Sequence, residues 1–191
     1  MTTLSAPITE LPERFRPLTR EEYLALGDLG VFAGQRVELV GGVIVEMPPI
    51  NPPHNGTVIL LTKLLVEAAG DRYAVACQGG LDLDPISQPM PDFMILSPRD
   101  YRQANPDPAT ALAIIEVADS SLRFDLGEKA RRYAMAGVPV YWVIDLGGRT
   151  VHVHTDPRSD GTWGRVTRLR DGAHPIGDLD LTIDLDIVLG R

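Results

Sequence analysis

The chain has 191 residues, enough for one well-buried core and short for two. Its 44% apolar and 23% charged residues are the balance of a globular chain, so disorder is not the expectation. A formal charge of −8 weighs against tight nucleic-acid binding by the whole surface, though not against an acidic metal site. Cys77 is the single cysteine, which excludes an internal disulfide or a multi-cysteine zinc site. No apolar run reaches the roughly 18 residues that span a bilayer, and the first residues lack the basic-then-apolar pattern of a secretory signal. A cytoplasmic protein without a membrane partner is the expectation.

In chain order, residues 1–18 are Pro-rich and polar and read as an N-terminal arm ahead of a single domain at 19–191. Thr19 and Glu22 have capping-box spacing and predict a helix over about 20–26, ended by Gly27, Gly30 and Gly34. Two extended runs around Gly41-Gly42 predict a β-hairpin. Pro48, Pro49, Pro52 and Pro53 make a stiff loop to His54, followed by a helix from Val58 to Gly70 that is apolar on more than one face and so well buried. Strands follow at 73–77, with Cys77 in the core, then at 81–84, 91–96 and 111–117, with a Pro-bearing surface loop over 97–110. Asp125 with Glu128 has the form of a helix cap, for a helix running to about Ala136. Strands at 140–144, 150–154 and 163–169 are separated by turns, and the alternation over 180–187 predicts a half-buried edge strand. The sum is an α/β or α+β fold, a mixed β-sheet flanked by helices with C-terminal β-hairpins.

Two carboxylates stand where strand physics does not favour them. Asp92 shares a strand face with Met94 and Leu96, and Glu116 shares one with Leu112 and Ile114. A buried unpaired carboxylate costs several kcal/mol, and two neighbours also repel. A divalent metal, a lysine or both would hold them; the alternative is that each lies at a strand end and meets water. The next helix offers a positive partner, since Lys129 and Arg132 border its apolar stripe. Arg123, Lys129, Arg131 and Arg132 crowd one short segment of an otherwise acidic chain, where a phosphate could dock. His152 and His154 share a strand face, open either to a two-histidine metal site or, the reading preferred here, to solvent. His174 sits in a loop and carries no signal.

Pro91-Asp92 followed by Glu116-Val117 after an apolar run resembles the PD-(D/E)XK restriction-endonuclease-like superfamily. More closely, the chain resembles the Uma-two family of that superfamily. The resemblance rests on Val37-Glu38-Leu39-Val40-Gly41-Gly42, Pro53-His54, Gln88-Pro89-Met90-Pro91-Asp92, Ile115-Glu116-Val117 and, above all, the run from Arg123 through Lys129 and Tyr133 to Asp145. It extends to Leu181-Thr182-Ile183-Asp184-Leu185 and covers most of the chain.

The superfamily's usual lysine lies two residues after the second acid, where this chain has Ala118. The resemblance implies that Lys129 takes that role. It further implies a restriction-endonuclease-like fold and an endonuclease that hydrolyses phosphodiester bonds. Mg²⁺ or Mn²⁺ would be held by Asp92, Glu116 and the Val117 carbonyl, with Glu38 as an additional acid and nucleic acid, foremost DNA, as substrate. Tyr133, Arg123, Arg132 and His54 are the expected phosphate contacts, and Tyr133 is open also to a packing role. A non-catalytic module that keeps the fold with an idle site is the competing class. A homodimer is expected to provide a composite surface, formed by the hairpin around Trp163 and the strand 151–154.

Overall fold

A six-stranded sheet organises the chain in the computed structural model, which describes residues 15–190. The expected arm falls largely outside the described residues. Helix α1 (Arg20–Asp28) starts on the predicted capping box: the Glu22 N–H donates to Thr19 Oγ1 at 3.1 Å and the Thr19 N–H donates back to Glu22 Oε2 at 2.9 Å. It continues past Gly27, which lies inside the helix rather than ending it. Strands β1 (Val37–Val40) and β2 (Val43–Glu46) pair antiparallel about Gly41 and Gly42. Those two residues have φ +62° and +78°, the two positive values that a tight primed hairpin turn demands.

Helix α2 (Pro52–Ala69) begins at Pro52 rather than Val58. Asn51 caps it, and a proline in the first turn loses no hydrogen bond because that N–H has no intrahelical partner. Its buried residues, Val58, Leu61, Leu65 and Ala69, form one stripe, while Ile59 and Val66 are exposed. The helix is therefore one-sided, not buried all round.

The sheet then assembles from β3 (Ala74–Cys77), β4 (Phe93–Leu96), β5 (Ala111–Ala118), β6 (Val140–Asp145), β7 (Thr150–Pro157) and β8 (Trp163–Leu169), neighbours in that order. All pairings are antiparallel except β5 with β6. That parallel pair needs a crossover, supplied by α3 (Leu122–Phe124), a π-helical turn (Asp125–Lys129) and α4 (Ala130–Met135). A small pair, β9 (Ala173–Pro175) and β10 (Thr182–Asp184), precedes α5 (Leu185–Val188).

Side-chain alternation divides the core between the two sheet faces. One face stacks Phe93, Ile95, Ala113, Ile115 and Trp142 against α2. The other stacks Met94, Leu96, Ile114, Ala118 and Tyr141 against the crossover helix through Ala130 and Tyr133.

Four further local expectations differ from the structure. Residues 81–84 form no strand, only the isolated bridge Asp84↔Ser87. Cys77 is exposed, because β3 is the sheet edge. The run 180–187 spends only three residues on β10 and then turns helical, since Asp184 caps α5 by accepting from the Asp186 N–H at 2.9 Å. His152 and His154 are buried rather than solvated, because β8 closes over β7 and Trp163 packs its ring on His154 and Tyr141. The strand 151–154 is thus an inner strand of the sheet, while β8, the other half of the expected composite surface, is its exposed edge. Among the described residues, no helix is long and apolar enough to cross a membrane.

Candidate active site

The register of β4 on β5 aligns Phe93 with Ile115, so Asp92, just ahead of β4, stands beside Glu116. Alternation points both side chains to the face covered by the crossover helix. Each carboxylate is anchored on the other strand's backbone. The Val117 N–H donates to Asp92 Oδ2 at 2.9 Å, and the Asp92 N–H donates to Glu116 Oε2 at 3.2 Å. Both are almost sealed from solvent, at 6% and 3% exposure, so the strand-end alternative for these acids does not apply.

The crossover helix supplies the cation. Its π-turn inserts one extra residue into the helical repeat and brings Asp125 and Lys129 inward together. Lys129 Nζ lies 3.0 Å from Glu116 Oε1, 3.1 Å from Glu38 Oε1 and 3.9 Å from Asp125 Oδ1. Glu38 comes from β1, with its other oxygen accepting from the Met90 N–H at 3.0 Å. The Tyr133 hydroxyl donates to Glu116 Oε1 at 3.2 Å, and Ser121 Oγ donates to Asp125 Oδ2 at 2.5 Å. Lys129 is 5% exposed, so it is a buried charge and not a side chain at the border of the core.

Three carboxylates therefore meet one ammonium, and a fourth, Asp92, lies beside Glu116. Burial opposes the charge on Lys129, but Glu116, Glu38 and Asp125 together outweigh it and raise its pKa well above the ordinary value, so it stays protonated. Burial pushes Glu116 well above the usual carboxylate range; Lys129 pulls it back, while Asp125, Asp92 and Glu38 push further up. Asp125 is raised for the same first reason, burial, against the pull of Lys129. Asp92 goes the other way. Burial disfavours its charge, but hydrogen bonds from His54 and the Val117 N–H hold it below the ordinary range.

His54 occupies the first turn of α2, where its N–H donates to the Asn51 cap at 3.0 Å. Its Nε2 lies 3.3 Å from Asp92 Oδ2, and that contact raises its pKa against the effect of burial. Gln78 Nε2 donates to Asp92 Oδ1 at 3.2 Å from a residue with φ +52°, an uncommon backbone for a side-chain-bearing residue. Glu38, His54, Asp92, Glu116, Val117, Asp125 and Lys129 all line one cavity of about 290 Å³.

The structure thus brings together Asp92, Glu116, Lys129, Glu38, Val117 and His54. Three other expected contacts lie elsewhere. Tyr133 is fully buried, its hydroxyl committed to Glu116 rather than to the cavity. Arg132 is held by Glu128 at 2.8 Å and Asp84 at 3.7 Å, beneath Gly41, where any Cβ would strike its guanidinium. Arg123 is exposed on α3, carries no ion pair among the described residues and does not line the cavity. Asp125 and Gln78 were not singled out from sequence. Asp125 had the look of a helix cap; the signal that could have exposed it is its i,i+4 spacing from Lys129.

The donor set suits a hard divalent cation. Among the described residues, no three His, Cys, Asp or Glu side chains converge to cage a metal alone. Mg²⁺ does not need such a cage, since it keeps several waters and takes one or two carboxylates plus substrate phosphate. The adjacent Asp92 and Glu116 oxygens fit that pattern, and the negative charge left over after Lys129 favours a dication.

A solved protein from Anabaena variabilis, described as "a putative nuclease belonging to DUF820", has the same fold. It superposes with a TM-score of 0.72 over 91% of this chain and 98% of that one, at 14% identity. No curated protein matches the chain. The family model Uma2, described as "Putative restriction endonuclease", matches residues 20–189, and the chain belongs to that family.

Proposed function

We propose that this protein is a divalent-metal-dependent nuclease that hydrolyses phosphodiester bonds at the Asp92–Glu116–Lys129 cluster. The observation that carries the reading is the Asp92–Glu116 pair on adjacent strands with Lys129 Nζ 3.0 Å from Glu116. Lys129 stands where the helix can deliver the ammonium that the strand position of Ala118 does not. The family and the fold neighbour support a nuclease-type protein.

Asp92, Glu116 and the Val117 carbonyl would hold Mg²⁺ or Mn²⁺. When bound, the ion would polarise the phosphoryl oxygen and lower the pKa of a coordinated water. The chain's own groups do the rest. Glu38 and Asp125 keep Lys129 protonated and fixed, so its ammonium faces negative charge on the phosphoryl oxygens in the transition state without reorganising. Tyr133 and the Asp92 N–H fix the two oxygens of Glu116. His54 and Gln78 fix those of Asp92.

The test is cleavage of labelled DNA and RNA with Mg²⁺ or Mn²⁺, with EDTA as control. Metal-dependent cleavage lost in Asp92→Asn supports the proposal; no cleavage under any metal transfers the protein to the idle-site reading. The charge of −8 favours that second reading. A homodimer is a further proposal, checked by light scattering: a monomer at high micromolar concentration removes it.

A further inference from the structure

We infer that the substrate enters as an unpaired nucleotide, flipped out or single-stranded, whose base docks in the apolar part of the cavity above the carboxylates. The inference rests on the nuclease reading and deepens it by naming the substrate class. Asp92, Glu116, Glu38 and Lys129 are each at most 6% exposed and line the same cavity, so a scissile phosphate reaches them through it. A cavity of about 290 Å³ accommodates a single unstacked nucleotide.

The remaining lining fits a base better than a backbone. Met47, Pro48, Pro49 and Ile50, in the segment that runs from β2 towards α2, supply apolar surface. Phe124, from α3, supplies an aromatic ring on the chain segment that also carries Asp125 and Lys129. Every base has a π-face, so apolar and aromatic walls bind unpaired bases with little regard to sequence. Arg36 also lines the cavity and is exposed; its guanidinium donates to the Pro48 carbonyl at 3.4 Å and can meet a flanking phosphate.

The electrostatics agree. Duplex binding proteins gain affinity by neutralising many phosphates at once, which a chain of charge −8 does poorly. Of the basic cluster expected around the crossover helix, Lys129, Arg131 and Arg132 are ion-paired, which leaves Arg123 alone for that purpose. Affinity drawn from stacking one base escapes this limitation.

The experiment compares three labelled DNAs of one sequence: single strand, perfect duplex and duplex with an unpaired bulge. Binding is read by fluorescence anisotropy in Ca²⁺, and cleavage separately in Mg²⁺ and Mn²⁺. The single strand and the bulge are expected to bind at least about tenfold more tightly than the duplex, a ratio equal to one base–aromatic stack. Phe124→Leu keeps the apolar volume, loses the stack and should bring the three DNAs to similar affinity; Ile50→Asp, at an exposed position, should do the same without touching the core. Duplex binding equal to or tighter than single-strand binding overturns the inference, as does a preference that both variants preserve or an absence of binding to all three. Preferential single-strand binding without cleavage under any metal upholds the docking inference while the nuclease reading fails. Cleavage that favours the duplex does the reverse.

Discussion

The two faces of the central sheet are built from the same strands and bury opposite chemistry. Against α2, alternate residues of β4 and β5 place Phe93, Ile95, Ala113 and Ile115 among hydrocarbon alone. One residue over on the same strands, the sequence positions that face the crossover helix include Asp92 and Glu116, and the helix brings Asp125 and Lys129 to them. The apolar face needs only volume and burial. The polar face has to satisfy every oxygen, and does so through the backbone of the neighbouring strand, Tyr133, Ser121, His54 and Gln78. The contrast shows how a domain can hold a costly charge cluster: one face stabilises the sheet, and the other is spent on placing three acids around one ammonium with Asp92 beside them.

The largest stability effect is expected on the polar face. Lys129→Ala leaves three buried carboxylates without their cation, and removing one partner of a buried pair costs about 3–5 kcal/mol. Urea denaturation should show it, with partial recovery on adding Mg²⁺. This differs from the small cost expected of a lysine at a stripe border, and the reason is its burial. If Lys129→Ala is as stable as wild type, the two faces do not differ in the way described.

On the apolar face, Leu65→Ala should cost roughly 3 kcal/mol through loss of burial and the cavity left behind. Its metal affinity, measured well below the denaturation midpoint, should be unchanged. A change would mean that the faces are coupled.

Glu116→Gln sharpens the comparison by removing charge while keeping one acceptor oxygen for Lys129 and Tyr133, its amide then facing the Asp92 N–H. Metal should raise the melting temperature of wild type and no longer raise that of the variant. A metal-induced rise of wild-type size would place the ion elsewhere.

The smallest effect concerns pH. His154 is buried beneath Trp163, and burial, its first influence, lowers its pKa in the folded state below the ordinary value of about 6.5. The unfolded chain then takes up a proton that the folded one refuses. The stability His154 confers is therefore complete above about pH 6.5 and falls as pH drops towards the lowered folded pKa. His154→Phe should flatten that part of the profile; an unchanged profile would show that His154 does not set it.

The sequence made the pairing of Asp92 with Glu116 legible, because acids inside apolar strand runs are costly wherever they land. Lys129 was legible only through the family pattern, since its position on the helix border admits a solvated side chain equally well. Asp125 was missed for a physical reason. Asp125 and Glu128 have capping spacing, but the helix starts earlier at Leu122, and the π-turn that buries Asp125 leaves no mark in periodicity. His152 and His154 were misplaced because β7 alternates like a surface hairpin, and only β8 and Trp163 bury it. Gln78 depends on a left-handed backbone at the end of β3, which a glutamine does not announce.

The central claim is that Lys129 acts on the reacting phosphate while Asp92 and Glu116 hold the metal. It is tested most directly by measuring Mn²⁺ affinity and single-turnover cleavage on the same samples of wild type, Lys129→Gln and the Arg131→Ala control. The account predicts that Lys129→Gln binds Mn²⁺ at least as tightly as wild type, since a competing cation is gone. It also predicts a cleavage rate about a hundred- to a thousandfold lower, the cost of one positioned transition-state donor. Arg131→Ala, on the same helix but paired outward with Glu128, should keep both. Equal losses of cleavage in the two variants, or full cleavage by Lys129→Gln, would contradict the account.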